Sequence, residues 1–514
     1  MGLLKVTSDF SSLIEVDWLK KWQSNQPEKV ALVDHDQKTQ LTYNNLFLIA
    51  GSLAHQLKAR GIQKGDRVGI LSPNRLEMVL LFFAVQRLGA LLVPINFRLS
   101  SSEVDYVLAD SKPKILFYES STLDRVQKLN EKVAELIDFD QEGAFDFSLP
   151  SPSFSENSFD GVMKSPCMIL YTSGTTGFPK GAVLTNEMIF WNSINTTMSL
   201  DVAKDDVTIC FSPLFHTGGW NVLMLPFLHR GGRVVLVQKF DPDVILELCE
   251  LHQVTLLFGV PTTLAMMSQS KKFESSDLSS IRYMIVGGEA MPLGLIKTWH
   301  QRNLPIRQGY GLTEFGPNCF SLSEEDAERK IGSIGKPNFY VKTKIIDQDG
   351  TEVGVGEVGE LLLSGPCCMK EYWGNPQATS ESIREGWFYT GDLMKKDEEG
   401  DFFVVGRKKD LFISGGENVY PAEVERVLES HPMVKESAVI GVKDEKWGEV
   451  GQAFVVLRQE GQLSEQDLSV FCRDHLAGFK VPKHFKFLRD LPKGDTGKIF
   501  KRKLAESLTK EMRA

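Results

Sequence analysis

The chain is poor in cysteine, with seven in 514 residues. They form no C-x-x-C pair matched by a second pair or by histidines, and Cys367 and Cys368 are neighbours. This argues against a zinc site and a disulfide scaffold, and for a reducing, cytoplasmic compartment. Positive charge is in deficit: the net charge of −9 disfavours a general affinity for nucleic acid or an anionic membrane. No apolar run reaches the roughly 20 residues of a membrane span, because Met78 to Ile95 is broken by Gln86 and Arg87. The opening residues lack the basic start, apolar stretch and cleavage site of an export signal. Repeats and low-complexity tracts are absent as well. Peripheral membrane contact and a homodimer stay open.

Several familiar catalytic signatures are also missing. The segment around Gly174 is no Walker A loop, since Pro179 stands where G-x-x-x-x-G-K-[ST] requires glycine. Gly354, Gly356 and Gly359 spell G-x-G-x-x-G, but they precede a strand-like run and open no helix, so the dinucleotide-binding context fails. No G-x-S-x-G nucleophile elbow occurs, which weakens a hydrolase reading. The histidines lack metal-ligand spacing.

What is present is an ordinary globular composition, 42% hydrophobic and 24% charged, in a chain too long for one core. From about residue 29 to 320, β-branched runs such as Arg67 to Leu71 and Met168 to Thr172 alternate with helix-like segments such as Leu76 to Leu88. That alternation predicts an α/β protein with parallel sheets covered by helices. From about 330 to 408, Gly-rich turns and short alternating runs predict a smaller antiparallel β subdomain. A separate α+β domain follows over 409–514, with a helix at Pro421 to Ser430.

The most informative segment is Tyr171-Thr-Ser-Gly-Thr-Thr-Gly-Phe-Pro-Lys180-Gly181, which directly follows a predicted buried strand. Thr172, Ser173, Thr175 and Thr176 offer hydroxyls, Gly174 and Gly177 let backbone N–H groups approach phosphate oxygens, and Lys180 adds a compact positive charge. The pattern suits a polyphosphate.

With Gly309-Tyr-Gly-Leu-Thr-Glu314, Tyr389-Thr-Gly-Asp392, Gly406-Arg407, Ser414-Gly-Gly-Glu-Asn-Val-Tyr-Pro421 and Pro492-Lys-Gly-Asp-Thr-Gly-Lys498, the chain resembles the adenylate-forming superfamily over nearly its whole length. Its Ser414 to Pro421 and Asp444 to Gly448 stretches look most like bacterial fatty-acyl-CoA synthetases and their aryl-CoA ligase relatives. The resemblance implies a large N-terminal domain, 1–408, of two mostly parallel sheets plus the β subdomain, and a small mobile domain, 409–514, carrying the catalytic lysine. It implies ATP, Mg2+ and coenzyme A as reactants, with a carboxylic acid as substrate.

The same resemblance assigns roles. Thr172 to Gly177 and Lys180 would hold the phosphates, Thr313 the α-phosphate, and Glu314 the Mg2+. Gly288, Glu289, Ala290, Gln308, Gly309, Tyr310 and Gly311 would line the nucleotide, with the Tyr310 ring on adenine. Asp392 would accept from the ribose hydroxyls, reinforced by Arg407. Lys498 would bridge substrate carboxylate and phosphate, and Lys409 would be the hinge. Gly416, Trp447, Phe479 and Lys480 match positions that contact coenzyme A. His216 matches an aromatic position beside the acyl pocket, which Trp220, Asn221 and Gly311 would shape, although a satisfied core histidine is the competing reading. A medium- or long-chain fatty acid is the leading substrate, with Val222 to Leu228 and Thr255 to Met267 as candidate tunnel walls. An aromatic or cinnamic acid, or a carrier-protein thiol as acceptor, are the alternatives.

Overall fold

Strands form where β-branched and aromatic residues cluster between turn formers, and helices where the apolar period is longer. Arg67–Leu71, Leu91–Ile95, Ile115–Tyr118 and Glu135–Asp138 pair in parallel, joined by Pro166–Thr172 next to Leu91–Ile95. Lys180–Thr185 then returns antiparallel, and Glu371–Tyr372 closes this seven-stranded sheet at its edge. The helix Leu76–Arg87 is buried along its whole length against the sheet, which explains why its sequence is apolar all round.

The computed structural model describes residues 16–143, 145–150, 162–172, 179–459, 461, 463–494 and 499–511. A second layer contains a four-stranded sheet, from Thr39–Thr42 to Val207–Cys210, and a five-stranded one beginning at Leu256–Gly259. The Thr255 N–H donates to the Val207 carbonyl at 2.9 Å, stitching the two. Leu257, Met284 and Ile306 from successive parallel strands are buried with Trp299 in one core cluster. Among the described residues no helix is long and apolar enough to cross a membrane.

The chain divides into two compact units. The first comprises residues up to Ile331, with 335–342 and 364–388; the second comprises 332–334, 343–363 and 389 onward. Within the second unit, Phe402–Arg407 pairs antiparallel with residues 392–396. Farther along, the long hairpin Val434–Asp444 and Gly448–Leu457 is covered by the helices Pro421–Ser430 and Glu465–His475 over a core that includes Val424, Leu428, Val439 and Leu468. Division by packing therefore groups most of the β subdomain with the C-terminal residues.

Candidate active site

In the first unit, the strands Pro166–Thr172 and Lys180–Thr185 lie on either side of the hydroxyl-rich segment in sequence, with Thr172 directly opposite Lys180. Ser173, Gly174, Thr175, Thr176 and Gly177 lie outside the described residues. The Thr172 hydroxyl donates to Glu314 Oε1 at 3.1 Å. The Tyr372 hydroxyl donates to the same oxygen at 2.9 Å. The Lys180 ammonium sits over the Tyr372 ring, 5.2 Å from its centroid. Glu314 belongs to a short turn, Thr313–Phe315, whose Thr313 is buried. Its backbone carbonyl accepts from the Met369 N–H at 2.8 Å. Thr172, Lys180 and Glu314, distant in sequence, thus meet around Tyr372, which the sequence analysis did not single out. Burial, then the Glu314 charge, pushes the Tyr372 hydroxyl well above the usual phenol range, so it stays a donor.

The strand ends form the second part of the site. Gln308 Oε1 accepts from the Met291 N–H at 3.1 Å, folding the segment Gly288–Glu289–Ala290 against the end of Ile306–Tyr310. Tyr310 is half-buried and meets Phe320 edge-on at 5.7 Å. Gly309 is paired opposite Ser321. A Cβ on Gly311 would fall 1.3 Å from the Pro317 carbonyl oxygen, so that glycine is required by the turn itself. His216 is half-buried, and the Phe258 ring lies 3.5 Å from where a Gly218 Cβ would stand and 3.8 Å from a Gly287 Cβ. The Phe258 ring is thus partly exposed, with two glycines close beside it.

Trp220 is fully enclosed, its indole N–H donating to the Leu214 carbonyl and its ring 5.3 Å from Phe82. Asn221 is buried beside it and donates to Thr217 Oγ1 at 3.1 Å. Val222 to Leu228 is buried throughout, as are Leu256, Leu257, Leu264 and Met267. These side chains build the core, while in the second apolar segment Phe258 and Val260 are half-buried and Met266 is exposed.

The second unit holds the remaining candidates. Arg407 Nε donates to Asp392 Oδ1 at 2.9 Å, the two lying opposite each other across paired strands. Asp392 is nearly enclosed while Arg407 is open to solvent, so the ion pair braces the carboxylate from its wet side. Lys409 is exposed. Gly416 has φ +89° and open space around its missing Cβ, and Gly415 lies against the Trp447 ring. Trp447 is exposed and flanked by the ammonium groups of Lys446 and Lys483, at 5.0 and 5.4 Å. Asp444 orders this turn by accepting from the Trp447 N–H at 2.9 Å. That bond, then one from Lys483, holds its carboxyl below the usual range. Phe479 is partly exposed, and Lys480 pairs with Glu423 at 2.7 Å. The turn Gly478–Lys480 packs beside Glu417–Val419. Lys498 lies outside the described residues; Lys493 and Ile499 on either side of it are bridged.

A metal can be tested against this donor set. A single carboxylate beside Thr172 and Lys180 suits Mg2+, which takes one or two carboxylates and completes its shell with substrate phosphates and water. Among the described residues no group of three or more His, Cys, Asp or Glu side chains gathers into a protein cage. Glu314 therefore fits a cation that arrives on a nucleotide.

Residues 19–373 match the family model described as AMP-binding enzyme, and 423–498 that of the AMP-binding enzyme C-terminal domain. A feruloyl-CoA synthase from Amycolatopsis sp is 41% identical over 90% of this chain and 93% of its own length. A long-chain-fatty-acid–CoA ligase from Mycobacterium tuberculosis is 36% identical over 96% of this chain and 98% of its own. The o-succinylbenzoate CoA synthetase of Bacillus subtilis, solved in complex with its acyl-adenylate intermediate, superposes with a TM-score of 0.84 at 34% identity, covering 95% of this chain and 97% of that one.

Proposed function

This chain belongs to the AMP-binding enzyme family, and from that premise we propose that it activates an aromatic carboxylic acid. The coarser activity is that of an ATP-dependent, AMP-forming acid–thiol ligase, joining a carboxylic acid to coenzyme A with ATP and Mg2+. In the first half reaction a carboxylate oxygen attacks the α-phosphorus of ATP, the bond to pyrophosphate breaks, and an acyl-adenylate forms. In the second, the thiol attacks the acyl carbonyl and AMP leaves with the bonding pair.

Two anions must meet in the first step, so charge control dominates it. Lys180 and the hydroxyl-rich turn hold the polyphosphate, and Thr313 contacts the α-phosphate. Glu314 binds the Mg2+, which when present screens phosphate charge. Asp392, braced by Arg407, accepts from the ribose hydroxyls. Lys498 reaches carboxylate and phosphate together during adenylation. Gly416, Trp447 and Phe479 receive the coenzyme, whose phosphates Lys446 and Lys483 attract.

The observation that carries the aromatic reading is the half-buried Phe258 ring, whose neighbours Gly218 and Gly287 put no side chain against it, so that an aromatic face is on offer to a flat group. Relatives that act on aromatic acids, the feruloyl-CoA and o-succinylbenzoate enzymes, support it. A medium- or long-chain fatty acid is the second reading, favoured by similarity to the mycobacterial ligase. Release of pyrophosphate and AMP against a panel of cinnamic, benzoic and C8–C18 acids, with and without coenzyme A, decides between them. The reading expects higher kcat/KM for a cinnamic or benzoic acid; a preference for a fatty acid overturns it. AMP release that needs a carrier protein in place of coenzyme A would move the acceptor.

A further inference from the structure

One side chain stands between the two charges on which nucleotide binding depends. Tyr372 lies on the edge strand Glu371–Tyr372, paired opposite Ala182, two residues beyond Lys180 on the neighbouring strand. It presents its ring face to the Lys180 ammonium and its hydroxyl to Glu314 Oε1. Thr172 donates to that same oxygen. Among the described residues, Oε2 of Glu314 accepts no hydrogen bond, and Lys180 and Glu314 form no ion pair with each other. A direct Lys180–Glu314 pair would consume both charges. With the tyrosine interposed, the ammonium stays available to phosphate and the carboxylate to a cation.

We infer that Tyr372, aided by Thr172, is a positioning residue that ties down Glu314 Oε1 and presents Oε2 as the metal-binding oxygen. The inference rests on the proposed role of Glu314. The groups that orient a ligating carboxylate fix its direction and basicity, and losing one such contact typically weakens metal binding 10–100-fold. The strand position adds rigidity: the Tyr372 backbone N–H donates to Thr379 Oγ1 at 3.0 Å, and the side chain is 8% exposed. A pair of donors that fixes one oxygen and leaves the other outward sets the direction of approach of the cation.

The test uses the full-length enzyme and the variants Tyr372→Phe, Thr172→Val and Glu314→Gln. Two readouts are followed as Mg2+ is titrated at fixed ATP: the rise in melting temperature caused by nucleotide, and acid-dependent pyrophosphate exchange. Tyr372→Phe keeps the ring under Lys180 and removes only the hydroxyl. It is expected to raise the half-saturating Mg2+ about 10-fold in both readouts, leave the KM for the acid unchanged, and recover most of kcat at high Mg2+. Thr172→Val is expected to raise the half-saturating Mg2+ in the same direction, with a further loss of ATP affinity from its proposed phosphate contact, so a misfolded tyrosine variant leaves the question answerable. Unchanged Mg2+ dependence in both variants, with Glu314→Gln shifted, overturns the inference while leaving the role of Glu314 intact. Unchanged dependence in Glu314→Gln means that the role of Glu314 itself is wrong.

Discussion

Lys498 and Phe258 carry different parts of the account, chemistry and choice of acid. Lysine at 498 is proposed to act on charge that develops as the carboxylate meets the α-phosphate, so Lys498→Ala should lower adenylate formation roughly 10²–10³-fold while ATP affinity changes little. Single-turnover pyrophosphate release and an ATP titration check this; equal turnover refutes the role. Phe258→Ala should reduce kcat/KM for an aromatic acid about 3- to 10-fold relative to a fatty acid, the worth of one aromatic contact. A parallel loss for both acids would make the ring mere packing. Glu314, Thr172 and Lys180 were legible in the sequence because each sits in a dense local motif. Tyr372 was not, since it meets Glu314 across 58 residues and, beside Trp373, reads as a core aromatic. Trp220 shows the reverse: the resemblance put it at the acyl pocket, and the structure encloses it.

Among the elements, the parallel strands of the first unit were the easiest to read, because full burial makes them continuous apolar runs. The sequence around the C-terminal hairpin suggests strands only over Ser437 to Val442 and Gln452 to Leu457. Its true arms, Val434–Asp444 and Gly448–Leu457, carry Lys435, Glu436, Lys443 and Glu449 at their outer positions, which masks strand periodicity. The helix Pro421–Ser430 lies over this hairpin with a consequence for pH. Glu429 accepts from the Ser437 N–H at 3.0 Å, and burial, then the charges of Glu425 and Glu436, raises its carboxyl from 4.5 to about 7. Glu425 is paired with Lys501 at 2.6 Å and Glu436 with Lys493 at 2.5 Å, so neither lysine is left over for Glu429. Between those pH values the folded unit keeps a proton that the unfolded chain has released, so stability falls as pH rises through the window. Glu429→Gln should match the wild type near pH 5 and exceed it near pH 8 by on the order of 2 kcal/mol. Hydrogen exchange in Pro421–Ser430 reads this directly, and a variant less protected than wild type at pH 8 contradicts it.

At the scale of the whole molecule, the sequence was right about an α/β body followed by further β structure and an α+β end, because changes in periodicity and glycine content mark those transitions. The packing division was not legible, since most of the β subdomain joins the C-terminal residues through long-range contacts that no local pattern records. Two half reactions served by one acid site require a change of partner, and the exposed Lys409 is the proposed pivot. Restricting its backbone with Lys409→Pro should leave acid-dependent pyrophosphate exchange within about 3-fold and cut thioester formation more than 10-fold, since hinge residues absorb dihedral change. Equal loss in both halves would place the pivot elsewhere. The central claim is that the acid is activated as an adenylate before any thiol enters. Isotope exchange between pyrophosphate and ATP without coenzyme A tests it most directly. The account predicts exchange that depends on the acid and on Mg2+ and collapses in Lys498→Ala; exchange that proceeds without acid, or only once coenzyme A is added, would contradict it.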